Sequence, residues 1–144
     1  DGILWSRLLD RNCPLEKAKE MLLNLSLQIR ASLAQRRNSG AKNLAEAAKQ
    51  YIQANYQNPD LSVETICSEL HISQSYFSNL FKQETGKSCI QYLTSVRMDR
   101  AVELLRTTDD RTYLVAQKVG YDDANYFSYV FKKQFGISPT QFRK

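Results

Sequence analysis

Residues 76–91 read YFSNLFKQETGKSCIQ, and residues 126–141 read YFSYVFKKQFGISPTQ. At an offset of 50 residues, eight of the sixteen positions are identical, which is too many for chance. Two copies are too few for a solenoid, which usually needs three or more units. The identity therefore predicts a tandem of one supersecondary unit.

The first copy is predicted to form two helices joined by a tight turn. Its first helix covers residues 63–70, with Ser62 as the cap and Thr65 in the place of the Glu of a full capping box. His71 follows in the turn, where a residue that tolerates positive φ is needed. Ser73 then caps a second helix, so that the whole helix-turn-helix unit spans about residues 62–84.

The second copy repeats this arrangement and spans about residues 113–135. Its first helix is predicted over residues 114–119, and Gly120 occupies the turn because glycine adopts positive φ freely. Asp122 is the predicted cap of the second helix, which ends before Gly136. Two such units predict DNA binding, because the second helix of a helix-turn-helix unit fits the major groove.

Between the two copies lies the longest uninterrupted helix pattern of the chain, over about residues 88–106. A helix of 19 residues is about 28 Å long, against about 34 Å between successive major grooves on one face of B-DNA. The two units can therefore reach adjacent grooves if tilt or DNA bending absorbs the difference. Flexible base steps between the half-sites would then contribute to specificity.

The fold is predicted to be all-α, because apolar residues recur at helical spacing and strand-like runs are missing. The polar run Arg36-Arg37-Asn38-Ser39-Gly40 predicts a helix end and a domain boundary. We therefore expect a helical linker over residues 1–41 and a DNA-binding domain over residues 42–144. The first helix of that domain is expected from about Lys42 to Asn55.

The linker is predicted to contain a helix that begins at Pro14. A coiled-coil stripe about two heptads long follows, with the 3-4-3-4 spacing of Leu15, Ala18, Leu22, Leu25 and Ile29. Residues 15–33 could therefore pair two chains as a homodimer. The alternative is a helix that packs on a further domain of its own chain, and we favour pairing.

Composition disfavours an enzyme. The basic excess of 20 Lys and Arg over 15 Asp and Glu gives a net charge of +5. It is not concentrated in residues 42–144, which hold 13 basic and 11 acidic residues, so charge alone does not predict a nucleic-acid partner. Cys13, Cys67 and Cys89 have neither disulfide nor zinc spacing, and His71 has no metal-binding or catalytic companion. We expect no catalytic residue, no metal and no cofactor.

No apolar run is long enough to span a bilayer, and the opening Asp1-Gly2-Ile3-Leu4-Trp5 does not form a secretory signal. We therefore expect a cytoplasmic chain without membrane contact. Because the chain starts without Met, we also expect a fragment or a processed form.

Helical periodicity divides the second helix of each unit into an inward and an outward face. The inward faces are apolar and consist of Phe77, Leu80 and Phe81 in the first unit and of Phe127, Val130 and Phe131 in the second. The outward faces carry groups that hydrogen-bond base edges or phosphates. They consist of Gln74, Ser75, Ser78, Asn79 and Lys82 in the first unit and of Asp123, Asn125, Tyr126, Tyr129 and Lys133 in the second.

Three stretches carry a family resemblance: residues 73–86, Tyr92-Leu93 with residues 97–101, and residues 119–143, which read VGYDDANYFSYVFKKQFGISPTQFR. On these stretches residues 45–144 resemble the AraC/XylS family of transcription regulators. The resemblance implies a seven-helix domain with two reading heads on a long central helix. It also implies operator binding that recruits or positions RNA polymerase, most often for activation, and a sensing or receiver domain upstream.

Carried over residue by residue, the resemblance implies base contacts in both units. These are expected from Ser75, Ser78 and Asn79 in the first unit and from Asn125, Tyr126 and Tyr129 in the second, and Gln74 joins them from the outward face. Asn79 and Tyr129 stand where relatives often carry Arg or another long basic side chain, so the resemblance does not imply bidentate guanine contacts by Arg there. Phosphate contacts are expected from Ser73, Lys82, Lys87, Ser88, Asp123, Lys132, Lys133 and Arg143.

The leading hypothesis is therefore a bacterial-type transcription regulator that binds double-stranded DNA and RNA polymerase and responds to a signal sensed upstream. A helical protein-interaction adaptor is the alternative, which the near-neutral charge of residues 42–144 keeps open. An enzyme is the third and weakest hypothesis.

Overall fold

The computed structural model describes residues 15–143, except for the side chain of Glu16. The predicted helix start at Pro14, the opening five residues and Cys13 lie outside these residues. Seven helices and no strand occur within residues 15–143, which confirms the predicted all-α class. They are α1 (Leu15–Asn55), α2 (Val63–Glu69), α3 (Gln74–Thr85), α4 (Cys89–Thr107), α5 (Thr112–Lys118), α6 (Ala124–Phe135) and α7 (Pro139–Arg143).

The chain divides into two compact units, Asp1–Ala41 and Lys42–Lys144. The predicted helix end at residues 36–40 is wrong, because α1 continues through this run to Asn55 and no fresh helix begins at Lys42. One glycine inside a helix costs only about 1 kcal/mol relative to alanine. The Ser39 hydroxyl donates to the Arg36 carbonyl oxygen at 2.9 Å, one turn back in the same helix, so this polar side chain does not end the helix.

The two predicted helix-turn-helix units are both present, and we call α2 with α3 the first head and α5 with α6 the second head. In the first head Ser62 and Thr65 form the expected reciprocal capping box. His71 lies in the turn with a φ of 55°, and Ser73 caps α3 by accepting the N–H of Tyr76. The local chemistry of this head is therefore as predicted.

The second head differs from the prediction by one residue at its cap. Gly120 has a φ of 94°, as its place in the turn requires. The cap of α6 is Asp123 and not Asp122, because α6 begins at Ala124. The Asp123 carboxylate accepts the N–H of Asn125 at 2.7 Å and that of Tyr126 at 3.2 Å, and so satisfies two donors of the first turn.

Each head has a core built on a phenylalanine pair from its second helix. Phe77 and Phe81 are fully buried in the first head, and Phe127 and Phe131 are fully buried in the second. The centroids of the two ring pairs lie 5.4 Å and 5.9 Å apart, so the repeat in sequence is a repeat in packing. The second core also contains Met98, Ala101, Leu105, Val115, Ala116, Val119 and Tyr121.

The central helix α4 has 19 residues and is therefore about 28 Å long. Its cap Ser88 and the third residue, Gln91, form a capping box, and Ser138 and Gln141 form the same pair of bonds at the start of α7. The identical Ser and Gln positions of the two copies thus share one structural role. None of the helices in residues 15–143 is long and apolar enough to cross a membrane.

Candidate nucleic-acid interface

The predicted base-contacting residues of the first head all lie on the exposed face of α3. Gln74, Ser75, Ser78 and Asn79 are exposed, while the phenylalanines of the same helix are fully buried on its other face. The polar stripe is therefore available to a ligand. Its hydroxyl and amide groups both donate and accept hydrogen bonds, as recognition of base edges requires.

The predicted base-contacting residues of the second head, Asn125, Tyr126 and Tyr129, are exposed on α6. The rings of Tyr126 and Tyr129 stack with their centroids 6.4 Å apart and their planes 26° apart. The buried Tyr121 ring packs against Tyr126, with 6.0 Å between the two ring centroids. This head therefore presents a pre-ordered aromatic surface with two hydroxyl groups and one amide.

Tyr76 is a further candidate for a DNA contact and is not among the residues predicted from the sequence. It lies at the repeat position of Tyr126, and both side chains are 57% exposed. The identity at an offset of 50 residues was the signal that could have identified it. A tyrosine that is conserved between the two copies yet absent from the core is available for contacts with a ligand.

Four lysines predicted to contact phosphates, Lys82, Lys87, Lys132 and Lys133, are exposed on the heads or directly after them. Lys82 lies in the last turn of α3, and Lys132 and Lys133 lie in the last turn of α6. Lys87 follows the glycine that ends α3. Flexible ammonium groups of this kind act as point charges for phosphate oxygens.

Three other predicted phosphate contacts are helix caps: Ser73, Ser88 and Asp123. The two serine hydroxyls accept backbone N–H groups, and their own O–H groups stay able to donate to a phosphate. The Asp123 carboxylate can only accept, and its charge repels a phosphate. A phosphate contact at this position would therefore have to use the main-chain N–H.

Arg143, the last predicted phosphate contact, is bound within the chain. Its guanidinium donates to the carbonyl oxygen of Asp110. The carboxylate of Asp110 accepts from Lys118 at 2.6 Å, and this hydrogen bond holds the pKa of Asp110 below its ordinary value. Arg143 would have to leave this contact, or share it, in order to reach DNA.

One groove of about 550 Å³ is lined by residues predicted to contact bases and by residues predicted to contact phosphates. Its lining includes Lys87, which follows α3, and Tyr126, Tyr129 and Lys133, which project from α6. Ile90 and the first turns of α4 line the other wall. The link from α3 to α4, the start of α4 and the exposed face of α6 thus line one surface.

The described part of the chain offers little for catalysis. Among residues 15–143, no group of three or more His, Cys, Asp or Glu side chains could hold a metal ion. Cys67 and Cys89 are buried, and burial raises the pKa of Cys89 to about 11, so this thiol is protonated at neutral pH. Both cysteines act as small apolar core residues.

Comparison with known proteins points to one function class. Residues 66–144 match the family described as "Helix-turn-helix domain". The HTH-type transcriptional activator RhaR of Mannheimia succiniciproducens is 40% identical over 77 residues, which are 54% of this chain and 28% of that protein. The chain spans 37%, 28% and 24% of the lengths of the first three curated relatives that it matches.

Solved structures that resemble the fold include domains of a response regulator and of a transcriptional factor. The C-terminal domain of AraT, a response regulator from Geobacillus stearothermophilus, is 43% identical with a TM-score of 0.69, over 69% of this chain and 83% of that one. The DNA-binding domain of AdpA, a global transcriptional factor solved in complex with a target DNA, is 28% identical with a TM-score of 0.65, over 69% of this chain and 88% of that one.

Proposed function

Since the chain belongs to the AraC/XylS family of DNA-binding transcription regulators, we propose that it inserts α3 and α6 into adjacent major grooves of an operator. The base contacts are those of the exposed polar faces of both helices, and the lysines of the heads contact the flanking phosphates. We also propose that the protein activates transcription, because relatives such as RhaR are activators.

The groove between α4 and α6 is the observation that carries this proposal. Its lining includes Lys87, in the link from α3 to α4, together with Tyr129 and Lys133 on α6. A DNA backbone that separates two major grooves would pass here, with a lysine on either side of it. The α4 length of about 28 Å then allows the heads to bind about one helical turn apart, within what tilt or bending can absorb.

A selection from random duplex DNA tests the proposal directly. The 144-residue chain should enrich a motif made of two short half-sites about one turn apart. Fluorescence anisotropy on an enriched duplex should then show an affinity that falls steeply with salt. A helical adaptor would enrich no motif and would bind random duplex DNA without salt dependence, and either result would end the proposal.

Single substitutions separate base contacts from phosphate contacts. Asn125→Ala should change the preference at one base position, while Gln117→Ala, an exposed change on α5, should leave the motif unaltered. Lys133→Ala should weaken binding to all sequences and lower the salt slope by about one unit, with Lys42→Ala as the control outside the heads. An equal loss on every sequence for Asn125→Ala would remove that residue from the base-contacting set.

The remaining parts of the proposal concern the regulator beyond its DNA contacts. We place its action in the cytoplasm, with RNA polymerase as the partner that the bound protein recruits, and without enzyme activity of its own. A signal sensed by a region N-terminal to α1 would control it, as the description of AraT as a response regulator suggests. In-vitro transcription from a promoter with the selected motif tests recruitment, since a regulator that activates should raise transcript yield.

Homodimer formation through residues 15–33 is the last part. Leu15, Leu22 and Ile29 are each more than half exposed along one stripe of α1, at the spacing that two coiled helices require. Sedimentation velocity should show a concentration-dependent dimer that the double change Leu22→Asp with Ile29→Asp abolishes. Leu27→Asp, an equally exposed leucine off the stripe, should leave the dimer intact, and a chain that is monomeric at all concentrations would refute this part.

A further inference from the structure

One buried arginine contacts the parts of the DNA-binding unit that precede the first head. Arg97 lies in the middle of α4 and is 8% exposed. Its Nε donates to the Tyr56 carbonyl oxygen at 2.9 Å, and its Nη2 donates to the Asn58 carbonyl oxygen at 2.8 Å. Both carbonyls follow the end of α1, so one guanidinium fork fixes the segment that leads into the first head.

The same guanidinium contacts the turn of the second head. Its carbon lies 5.1 Å from the ring centroid of Tyr121, the residue after the turn glycine, which is a favourable cation–π distance. Burial raises the pKa of Tyr121, against the opposing effect of the Arg97 charge, so its hydroxyl stays neutral. Arg97 is therefore held between the start of one head and the turn of the other.

Gly120 brings these parts into direct contact. A Cβ atom at this position would lie well under 3.0 Å from the Tyr56 carbonyl oxygen and 2.9 Å from Nε of Arg97. The turn of the second head thus touches the end of α1 where only a glycine fits. No such constraint applies at Gly86 and Gly136, where a Cβ would meet nothing within 4 Å.

Within residues 42–143, the extensive helix contacts occur inside a head, between a head and α4, or around α7. The core of the second head includes residues of α4 but none of α2 or α3. The second head is therefore attached to α4 through its own core, in which Met98, Ala101 and Leu105 of α4 are buried. Gly120 and Arg97 add a second attachment, because both contact the carbonyl oxygen of Tyr56 in the segment after α1 and Arg97 also packs on Tyr121. This second attachment resists rotation of the second head relative to the first.

We infer that Arg97, Gly120 and Tyr121 form an interhead clamp that fixes the rotation of the second head and thereby the half-site spacing that the protein accepts. This inference rests on the proposed DNA binding. One inserted base pair moves a half-site by about 3.4 Å and rotates it by about 35° around the duplex, so a fixed pair of heads cannot follow it. Arg97 is a positioning residue here, because it is buried and acts through the segment after α1 and through Tyr121.

The test is a selection from random duplex DNA with the full 144-residue chain and three variants. Arg97→Met removes the fork and the charge, and Arg97→Lys keeps the charge but cannot serve both carbonyls in the same geometry. Arg106→Met is the matched control, because Arg106 lies on the same helix but packs over Phe142, 5.4 Å from its ring centroid. The readout is the distribution of spacings between enriched half-sites, followed by anisotropy on duplexes with one base pair added or removed.

The wild type and Arg106→Met should enrich one spacing and lose about tenfold or more in affinity for a one-base-pair change. Arg97→Met should enrich the same half-sites over several spacings and lose less than about threefold in affinity for a one-base-pair change. The loss for Arg97→Lys should lie between those of the wild type and Arg97→Met. A merely structural role would weaken all duplexes equally and leave the spacing unchanged, and that result overturns the inference. If circular dichroism shows that Arg97→Met does not fold, Arg97→Lys and Tyr121→Phe decide the matter by the same readout.

Failure of the clamp and failure of the proposed function are distinguishable. A wild type that enriches no motif would refute DNA recognition itself. A wild type that enriches two half-sites at one spacing, together with Arg97 variants that keep this spacing equally sharp, would refute the clamp alone. Relaxed spacing in the wild type would refute the clamp as well.

Discussion

Replacement of Gly120 by alanine should destabilise the chain far more than the same change at Gly86 or Gly136. The three glycines have φ values of 94°, 75° and 80°, so each substitution forces an L residue into the left-handed region. That conformation costs about 1–2 kcal/mol for a residue with a Cβ. The three positions share this cost, and the surroundings of the new methyl group make the difference.

Only Gly120 adds a steric conflict, because its Cβ would overlap the Tyr56 carbonyl oxygen and crowd Arg97. Backbone has to move to make room, and overpacking of this kind costs about 1–3 kcal/mol. We therefore expect Gly120→Ala to lower the free energy of unfolding by about 2–5 kcal/mol, against about 1–2 kcal/mol for Gly86→Ala and Gly136→Ala.

Urea unfolding followed by far-UV circular dichroism measures these differences, with the two other glycines as controls for the cost of positive φ. The midpoint should fall furthest for Gly120→Ala at an unchanged slope. Three equal losses would refute the reasoning, since they would mean that the turn of the second head does not press against the end of α1.

Three further predictions concern single side chains. His71→Gly should raise the free energy of unfolding by about 0.5–1 kcal/mol, because glycine relieves the positive φ of 55° at this turn, and urea unfolding that shows a loss would contradict it. In a Cys13→Ser background, Cys67 and Cys89 should react slowly with a disulfide reagent at pH 8 until urea is added. At a pKa of about 11, only about one thousandth of Cys89 is thiolate at this pH. Labelling in buffer as fast as in urea would contradict this prediction. The hydrogen bond from Lys118 lowers the pKa of Asp110 below its ordinary 3.8, so this bond stabilises the fold above pH 3.8 and the stabilisation is lost as the pH falls through the lowered pKa. The wild type and Asp110→Asn should therefore differ in urea midpoint at pH 7 and have the same midpoint below the lowered pKa. A difference in midpoint that does not change with pH would refute this prediction.

The local chemistry of the heads could be predicted from the sequence, because it depends on residues a few positions apart. The caps Ser62 and Ser73 and the turn at His71 each use neighbours within four positions. The inward phenylalanines follow from helical periodicity, and the repeat fixes the second head by analogy with the first. The predicted cap of α6, Asp122, precedes the observed cap, Asp123, by one residue because two adjacent aspartates offer the same chemistry.

The continuity of α1 and the role of Arg97 could not be predicted in the same way. A polar run with one glycine ends some helices and is tolerated in others, since the propensity cost of about 1 kcal/mol is smaller than what packing elsewhere supplies. The hydrogen bonds of Arg97 join residues 41 and 39 positions apart in the sequence. Helical spacing describes which face a residue shares with its neighbours, and it contains no information on such distant contacts.

The near-neutral charge of residues 42–144 does not favour an adaptor, once the placement of the charges is considered. Within residues 42–143, ion pairs join Glu46 with Lys49, Glu103 with Arg100, and Asp110 with Lys118. Each of these pairs uses an acidic group to neutralise a basic group on α1, α4 or α5, and none of them involves the lysines of the recognition helices. Asp123 is likewise engaged, as the cap of α6. The lysines at the ends of α3 and α6 therefore keep their charge for a polyanion, and binding to DNA should depend on this local field rather than on the net charge of the chain.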